Sequence, residues 1–206
     1  MVNKNRGIAL DEIGWFYKLF IDPLLENVRK DISQLIPKGR KVLDIGCGTG
    51  ALALMLSRKA EQVIGIDSSL SMIGTAKASA EKAGAENLQF FQENVFSFLE
   101  NTSGQYDYAV LSFFLHQIDD ADRIPLITQL KHYSDSVLIA DYNLPFPGVL
   151  LNCAVTFIEW AAGTEHYRNF RGFANHGGVD YIKKYFGGSS GEHQERSTDL
   201  YVVTRV

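Results

Sequence analysis

The fold of this chain is decided by the stretch Val42-Leu43-Asp44-Ile45-Gly46-Cys47-Gly48-Thr49-Gly50. It starts as an apolar run, which predicts a short buried strand, and it ends in three alternate glycines. Glycine adopts positive φ and lets a ligand come close to the backbone, so the glycines predict a tight turn at a binding site. A helix is expected over residues 49–59, and its first N–H groups have no partner within the helix. The stretch therefore predicts a strand, a ligand-binding turn and a helix in succession.

Strands and helices alternate on the C-terminal side of this turn. The predicted strands cover residues 41–45, 62–67, 88–92, 106–113 and 136–142, and the helices between them cover residues 49–59, 69–83, 94–100 and 122–133. Several strands, such as residues 137–140, are apolar without interruption. Such strands are typical of a parallel sheet that helices cover on both faces.

The chain is expected to form a single domain over residues 1–206. An N-terminal helical cap at 1–39 is predicted to break into two helices at Asp22-Pro23, since Asp favours an N-cap and Pro the first helical position. The ligand-binding core follows at 40–142. A helical insert at 144–186 and two terminal strands within 187–206, the last antiparallel, complete the prediction.

Composition excludes several classes of protein. The 206 residues are 46% hydrophobic and 21% charged, which argues against disorder. The net charge of −4 and the lack of a basic run argue against a nucleic-acid partner. Two cysteines and no CxxC pair predict neither a disulfide framework nor a bound metal.

The apolar stretch at 144–163 is interrupted by Pro145 and Pro147, so a membrane span is not expected. Residues 1–6 do not start an apolar signal segment, and a cytoplasmic location is the expectation. Both a monomer and a homodimer stay open.

An acidic residue, Asp67, ends the second predicted strand, where it can accept hydrogen bonds from both hydroxyls of a ribose. Two cofactor classes then fit. Gly46, Gly48 and Ala51 satisfy the dinucleotide pattern G-x-G-x-x-G/A. However, a carboxylate at Asp44 is unfavourable beside a pyrophosphate and suits an ammonium or sulfonium cation.

The spacing Asp-x-Gly-x-Gly-x-Gly at residues 44–50 resembles the first motif of class I S-adenosylmethionine-dependent methyltransferases. Segments 63–67 and 88–95 resemble the second and third strand motifs of that family. Segment 106–116 resembles the fourth-strand motif of its small-molecule branch, which includes quinone-biosynthesis enzymes. The resemblance covers residues 40–142. It implies an α/β fold with a Rossmann-like, doubly wound, mostly parallel seven-stranded sheet.

The resemblance also implies a site for S-adenosyl-L-methionine and its product S-adenosyl-L-homocysteine. The implied residues are Asp44, Gly46, Cys47, Gly48, Gly50, Asp67, Ser68, Asn94, Val95, Leu111 and Ser112. The backbone of Gly46 and Gly48, with that of Leu111 or Ser112, would hold the methionine end of the cofactor. Asp44 would help to order the loop. Asp67 would bind the ribose and Ser68 would lie near the adenine. Asn94, where the family usually has an acid, would meet the adenine amino group, and the Val95 N–H a ring nitrogen.

Transfer from a sulfonium requires alignment, and for some acceptors a general base. His116, Tyr142 and Tyr17 are the candidate catalytic residues, with structural roles as the alternative. The candidate substrate residues form a polar-aromatic patch of the insert, namely Trp160, His166, Tyr167 and Arg168. The apolar helix at 149–162 fits a wall of the acceptor site, a core element or a dimer contact.

The function predicted is methyl transfer from S-adenosylmethionine to a small, apolar or aromatic acceptor. A nicotinamide-dependent reductase and a non-catalytic module that binds the cofactor are the competing interpretations.

Overall fold

The computed structural model describes residues 22–186 and 196–206 of the chain. Its strands are β1 (Lys41–Ile45), β2 (Gln62–Asp67), β3 (Leu88–Gln92), β4 (Tyr106–Ser112), β5 (Ser134–Tyr142), β6 (Arg196–Ser197) and β7 (Tyr201–Arg205). Its helices are α1 (Asp22–Leu35), α2 (Ala51–Ser57), α3 (Leu70–Ala83), α4 (Val95–Asn101), α5 (Asp120–Tyr133), α6 (Val149–Ala161), α7 (Thr164–Asn175) and α8 (Val179–Phe186).

The described strands form one sheet in the order β3-β2-β1-β4-β5-β7-β6. Strands β1 to β5 pair in parallel, whereas β7 runs antiparallel to β5 and to β6. The predicted fold class is thereby confirmed. The chain order reverses direction at β1, whose neighbours are β2 and β4. In open α/β sheets, ligands bind at such a switch point, beyond the carboxyl ends of the strands.

Two apolar layers cover the sheet. Val42 and Leu43 are adjacent in β1, are both fully buried, and point to opposite layers because side chains alternate along a strand. The Val42 layer is shared with helices α1, α2 and α3, and the Leu43 layer with α4, α5, α7 and α8. Burial on both faces explains why these strands are apolar throughout rather than alternating.

Several predicted boundaries are confirmed and others shift. The second and third strands lie where the sequence places them, and a helix, α1, is present over the second part of the predicted cap. Helix α5 begins at Asp120 instead of residue 122, because the Asp119 side chain accepts the Ala121 N–H at 3.0 Å and caps the helix. Strand β5 begins at Ser134 instead of residue 136.

The insert after β5 consists of α6, α7 and α8, as expected for helical material there. The first predicted helix of the cap, with Tyr17, lies outside the described residues, as does most of the first of the two strands predicted within 187–206. Of that strand the structure describes Arg196–Ser197, which pair with β7. None of the described helices is long and apolar enough to cross a membrane.

Candidate functional site

The glycine loop joins β1 to α2 with the backbone in the left-handed region. Gly46, Gly48 and Gly50 have φ values of 66°, 53° and 75°. At Gly46 a Cβ atom would lie 2.2 Å from the Phe114 ring, so glycine is required there by space as well as by φ. At Gly50 a Cβ atom would lie 2.5 Å from the ring of Phe90. The loop is therefore packed tightly against β3 on one side and against the turn after β4 on the other.

Asp67 ties the glycine loop to the end of β2. Its Oδ2 accepts the Gly48 N–H at 2.9 Å, and its Oδ1 accepts the Ser69 N–H at 2.8 Å. Each carboxylate oxygen has a further lone pair, so the side chain retains acceptor capacity for two hydroxyl groups. This geometry suits the predicted ribose role.

Asp44 lies beneath the loop and is 1% exposed. Its Oδ2 has no hydrogen-bond partner among the described residues. Burial, and then the charge of Asp67, raise the pKa of Asp44 to about 7. A buried acceptor without a partner is costly, so a ligand cation at this oxygen would be stabilised.

A cavity of about 770 Å³ opens above the loop. Nine of the eleven predicted cofactor residues line it, namely Asp44, Gly46, Cys47, Gly48, Asp67, Ser68, Asn94, Val95 and Ser112. Leu111 is fully buried in β4 and Gly50 packs on Phe90, so these two support the cavity from behind. Leu25 and Arg29 of α1 also line the cavity and were not predicted.

Two of the lining residues already have local roles. The Asn94 side chain caps α4 by accepting the Phe96 N–H at 2.9 Å, and its oxygen keeps a second lone pair. Burial, with the nearby charges of Asp44 and Asp67, raises the pKa of the Cys47 thiol well above its usual range. Cys47 is therefore a neutral thiol, which disfavours a nucleophilic role for it.

Phe113 shapes the far end of the cavity. It is the non-glycine residue with positive φ, 51°, among those described. Its N–H donates to the Ala140 carbonyl at 2.7 Å, and its carbonyl accepts from Gln117 Nε2 at 2.5 Å. Strained backbone of this kind concentrates at functional sites. The sequence does not predict this positive φ, because a phenylalanine at the end of a strand has the pattern of an ordinary apolar residue.

Behind Phe113 lies a buried polar cluster. His116 Nδ1 lies 2.7 Å from Asp141 Oδ1, and the Tyr142 hydroxyl donates to Glu159 Oε1 at 2.6 Å. Glu159 Oε2 lies 2.5 Å from His166 Nε2 and 3.7 Å from His116 Nε2. The structure thus brings together three predicted residues, His116, Tyr142 and His166. Glu159 was not predicted as a site residue, although it is the one charge in the apolar stretch at 144–163.

The charges of this cluster stabilise one another. Burial acts to lower the pKa of His116, but Asp141 and then Glu159 outweigh it, so the pKa lies above its ordinary value. Burial acts to raise the pKa of Glu159, but hydrogen bonds and charges from His166, His116 and Tyr142 outweigh it, so this pKa is lowered.

The other predicted substrate residues lie away from the cavity. The Trp160 ring is 55% exposed and packs on Phe157, and Arg168 is exposed near Glu165. Tyr167 packs against the aromatic cluster around Tyr142. The insert residues that line the cavity are Glu165 and Asn169 of α7. A role for the predicted residues in acceptor binding stays a prediction.

Arg123 connects the turn after β4 to the insert. It is fully buried and donates to the carbonyl oxygens of Leu115, Ile118 and Asn169 at 2.9, 3.1 and 2.7 Å. It also pairs with Asp120. The guanidinium therefore fixes the end of the cavity lined by Ile118 to α7.

A family model described as "Methyltransferase domain" matches residues 42–134. The matched region holds the glycine loop, Asp67 and the strand ends that surround the cavity. Residues 42–134 therefore match a methyltransferase domain.

Relatives of the methyltransferase domain agree with this assignment. A ubiquinone biosynthesis O-methyltransferase of Acinetobacter baylyi is 33% identical over 82 residues, which are 40% of this chain and 34% of that protein. The chain thus matches about a third of the length of such curated relatives.

Solved structures share the fold at low identity. The magnesium protoporphyrin IX methyltransferase of Synechocystis PCC 6803, solved with bound SAH, gives a TM-score of 0.60 at 19% identity, covering 99% of this chain and 89% of that one. An O-methyltransferase family protein of Burkholderia thailandensis gives 0.68 at 16% identity, covering 88% of this chain and 55% of that one.

Proposed function

We propose that this chain binds S-adenosylmethionine and transfers its methyl group to a small, apolar or aromatic acceptor. The observation that carries the proposal is the unpartnered Oδ2 of Asp44, buried at the floor of a cavity that also holds the glycine loop and Asp67. When bound, S-adenosylmethionine supplies an electrophilic methyl group on a cationic sulfur. A carboxylate oxygen at this position favours the ammonium of that ligand and disfavours a pyrophosphate.

The cofactor end follows from the lining residues. Asp67 accepts the ribose hydroxyls while it holds Gly48, and Ser68 lies beside the adenine. Asn94 accepts from the adenine amino group, and the Val95 N–H, which opens α4 and has no acceptor within that helix, donates to a ring nitrogen. The backbone at Gly46, Gly48 and Ser112 holds the methionine end.

The acceptor end is apolar with acidic groups at its edge. Phe113, Phe114 and Ile118 line it, and Glu165 stands at its margin with its side chain 83% exposed. Apolar and aromatic walls of this kind bind a flat or apolar molecule and exclude water, which favours displacement at a sulfonium. His116 and Tyr142 lie directly behind the Phe113 ring, at centroid distances of 6.2 and 5.1 Å. Their catalytic role stays a proposal, as does that of Tyr17.

Calorimetry tests cofactor choice. S-adenosylhomocysteine and NADH are titrated separately into the full chain, and heat with S-adenosylhomocysteine alone is the expected result. Heat with NADH and none with S-adenosylhomocysteine would instead favour a nicotinamide-dependent reductase.

Turnover is tested with S-adenosylmethionine that carries an isotopically labelled methyl group. A panel of small phenols, catechols, amines and thiols is offered, and label is followed into product. Binding without transfer to any member would favour the non-catalytic alternative.

A further inference from the structure

Three side chains of types that bind metal ions converge behind the cavity from separate parts of the chain. They are His116, in the turn after β4, Glu159 of α6 and His166 of α7, and one ligand atom from each lies within 4.8 Å of the others. Glu159 and His116 are 3% exposed, whereas the His166 side chain is 24% exposed. The cluster is therefore almost sealed and has one member that reaches solvent.

Each of the two buried ligands is held by an outer partner on its non-ligating atom. His116 Nδ1 is bound to Asp141 Oδ1 at 2.7 Å, which leaves Nε2 directed at Glu159. The Tyr142 hydroxyl donates to Glu159 Oε1 at 2.6 Å, which leaves Oε2 directed at the two histidines. A carboxylate behind a histidine, and a hydrogen bond behind a ligating carboxylate, are the usual outer supports of protein metal sites.

One of the distances between the ligand atoms is already close to that found around a bound cation. His116 Nε2 lies 3.7 Å from Glu159 Oε2, too far for a hydrogen bond and close to the spacing of about 3.3 Å between ligands that sit 2.0–2.2 Å from a tetrahedral ion. The contact of 2.5 Å between His166 Nε2 and Glu159 Oε2 would widen on binding. The partly exposed ring of His166 is the group placed to make that adjustment.

The charge of the cluster fits a divalent ion. Two carboxylates, Asp141 and Glu159, are buried together. Once the two histidines are neutral, which is the form that binds a metal, these carboxylates place two negative charges in the interior. The buried cation nearby, Arg123, directs its hydrogen bonds to Asp120 and to backbone carbonyls. A dication at the centre of the three ligands balances the two carboxylates, which is how buried charges are stabilised.

We propose that His116 Nε2, Glu159 Oε2 and His166 Nε2 bind a divalent transition metal ion of the zinc, cobalt or iron(II) type. Two imidazoles and one carboxylate select such ions over Mg²⁺ or Ca²⁺, which prefer oxygen ligands. Three protein ligands leave at least one coordination position open. The site joins the turn after β4 to the insert, and it stands independently of the proposed methyl transfer.

The test uses Co²⁺ as the probe, because its visible absorption reports ligation by imidazole. The full chain is treated with a chelator, desalted and titrated with Co²⁺ alone, and then with Zn²⁺ to displace it. Visible bands that saturate at one Co²⁺ per chain and disappear with Zn²⁺, but not with Mg²⁺, are the expected result. No bands on titration would overturn the proposal.

Matched variants locate the site. Glu159→Gln keeps an acceptor for Tyr142 and removes the anionic ligand, and His166→Ala removes the most exposed ligand. Each is expected to weaken Co²⁺ binding by about tenfold or more, the scale of changes around a metal. His132→Ala, an exposed histidine on α5, is the control and should bind Co²⁺ as the parent does. Bands of equal strength in all three variants would place the metal elsewhere and refute the assignment.

Titration of the same chelator-treated samples with S-adenosylhomocysteine separates the two proposals. Co²⁺ binding without S-adenosylhomocysteine binding would sustain the metal site and reject the proposed function. The reverse result would reject the metal site alone.

Discussion

His116 is joined to Asp141 by two hydrogen bonds, one from its ring Nδ1 at 2.7 Å and one from its own backbone N–H at 3.3 Å. The same carboxylate accepts the N–H groups of Leu115 and Tyr142 at 3.1 and 2.8 Å. One fully buried side chain at the end of β5 thus holds the turn after β4, whose residues Phe113, Phe114 and Ile118 line the cavity.

We expect Asp141→Asn to destabilise the protein strongly. The amide presents an NH₂ group to N–H donors that now meet a carboxylate oxygen, so at least one buried donor loses its acceptor. Breaking a buried charged network on one side costs about 3–5 kcal/mol. Urea unfolding measures the loss. Asp135→Asn, which changes an exposed aspartate of the same strand, is the control and should change the free energy of unfolding by about 0.5 kcal/mol or less. Equal losses in the two variants would contradict the role given to Asp141.

Gly46→Ala and Gly39→Ala form a matched pair. Both positions have positive φ, 66° and 71°, so each alanine pays a similar backbone penalty of about 1–2 kcal/mol. A Cβ atom at Gly39 meets nothing within 4 Å, whereas at Gly46 it lies 2.2 Å from the Phe114 ring. We expect a further loss of about 1–3 kcal/mol in Gly46→Ala from this overlap.

The second readout for this pair is cofactor affinity. Phe114 lines the cavity, so its displacement should weaken binding of S-adenosylhomocysteine in Gly46→Ala and leave it unchanged in Gly39→Ala. Calorimetry on both variants checks this. Equal affinity in the two would mean that the Phe114 ring adjusts without reaching the ligand.

The sheet was predictable from the sequence because its strands obey a simple rule. Strands buried on both faces are apolar throughout, and the glycine loop and Asp67 mark the ends of two of them. The side of the cavity around the glycine loop follows for a related reason, since its lining residues lie at the ends of successive strands in segments with a recognisable spacing.

The region between the turn after β4 and the insert was less predictable because it depends on contacts between distant segments. Glu159 meets His116 and His166 only after α6 and α7 fold over β5, and Arg123 reaches Asn169 across the same gap. The left-handed backbone conformation of Phe113 is held by its hydrogen bonds to Ala140 and Gln117. No local sequence pattern predicts this conformation. Arg168 faces outward because the buried side of α7 carries Asn169, Phe170 and Phe173. Trp160 belongs to α6, where it packs on Phe157 at the surface.

Asp67→Ala should weaken cofactor binding for two reasons. The acceptors for the ribose hydroxyls are removed, and the Gly48 N–H loses the partner that orders the loop. Leaving such groups unpaired costs about 1–3 kcal/mol, which is roughly a fivefold to hundredfold loss of affinity for S-adenosylhomocysteine. Glu61→Ala, an exposed acid just before β2, is the control for charge. Unchanged affinity in Asp67→Ala would contradict the ribose assignment.

Asp44 is expected to make both the stability of the protein and its affinity for the ligand depend on pH. The folded-state pKa of about 7 lies above the ordinary 3.8, so between these values the folded protein holds a proton that the unfolded chain has released. The free energy of unfolding of the free protein should therefore fall as the pH rises through this window. A ligand ammonium beside Oδ2 favours the carboxylate, so ligand binding releases that proton, and affinity for S-adenosylhomocysteine should rise from about pH 6 to about pH 8.

Calorimetry in buffers of different ionisation enthalpy measures the released proton directly. Asp44→Asn, which cannot ionise, is expected to bind more weakly above pH 7 and to show a smaller release and a flatter pH profile than the parent. The difference between the two profiles isolates Asp44 from ionisation of the ligand itself. Identical profiles in parent and variant would mean that the buried carboxylate does not face the ligand cation, and the case for an adenosyl cofactor over a dinucleotide would lose its electrostatic basis.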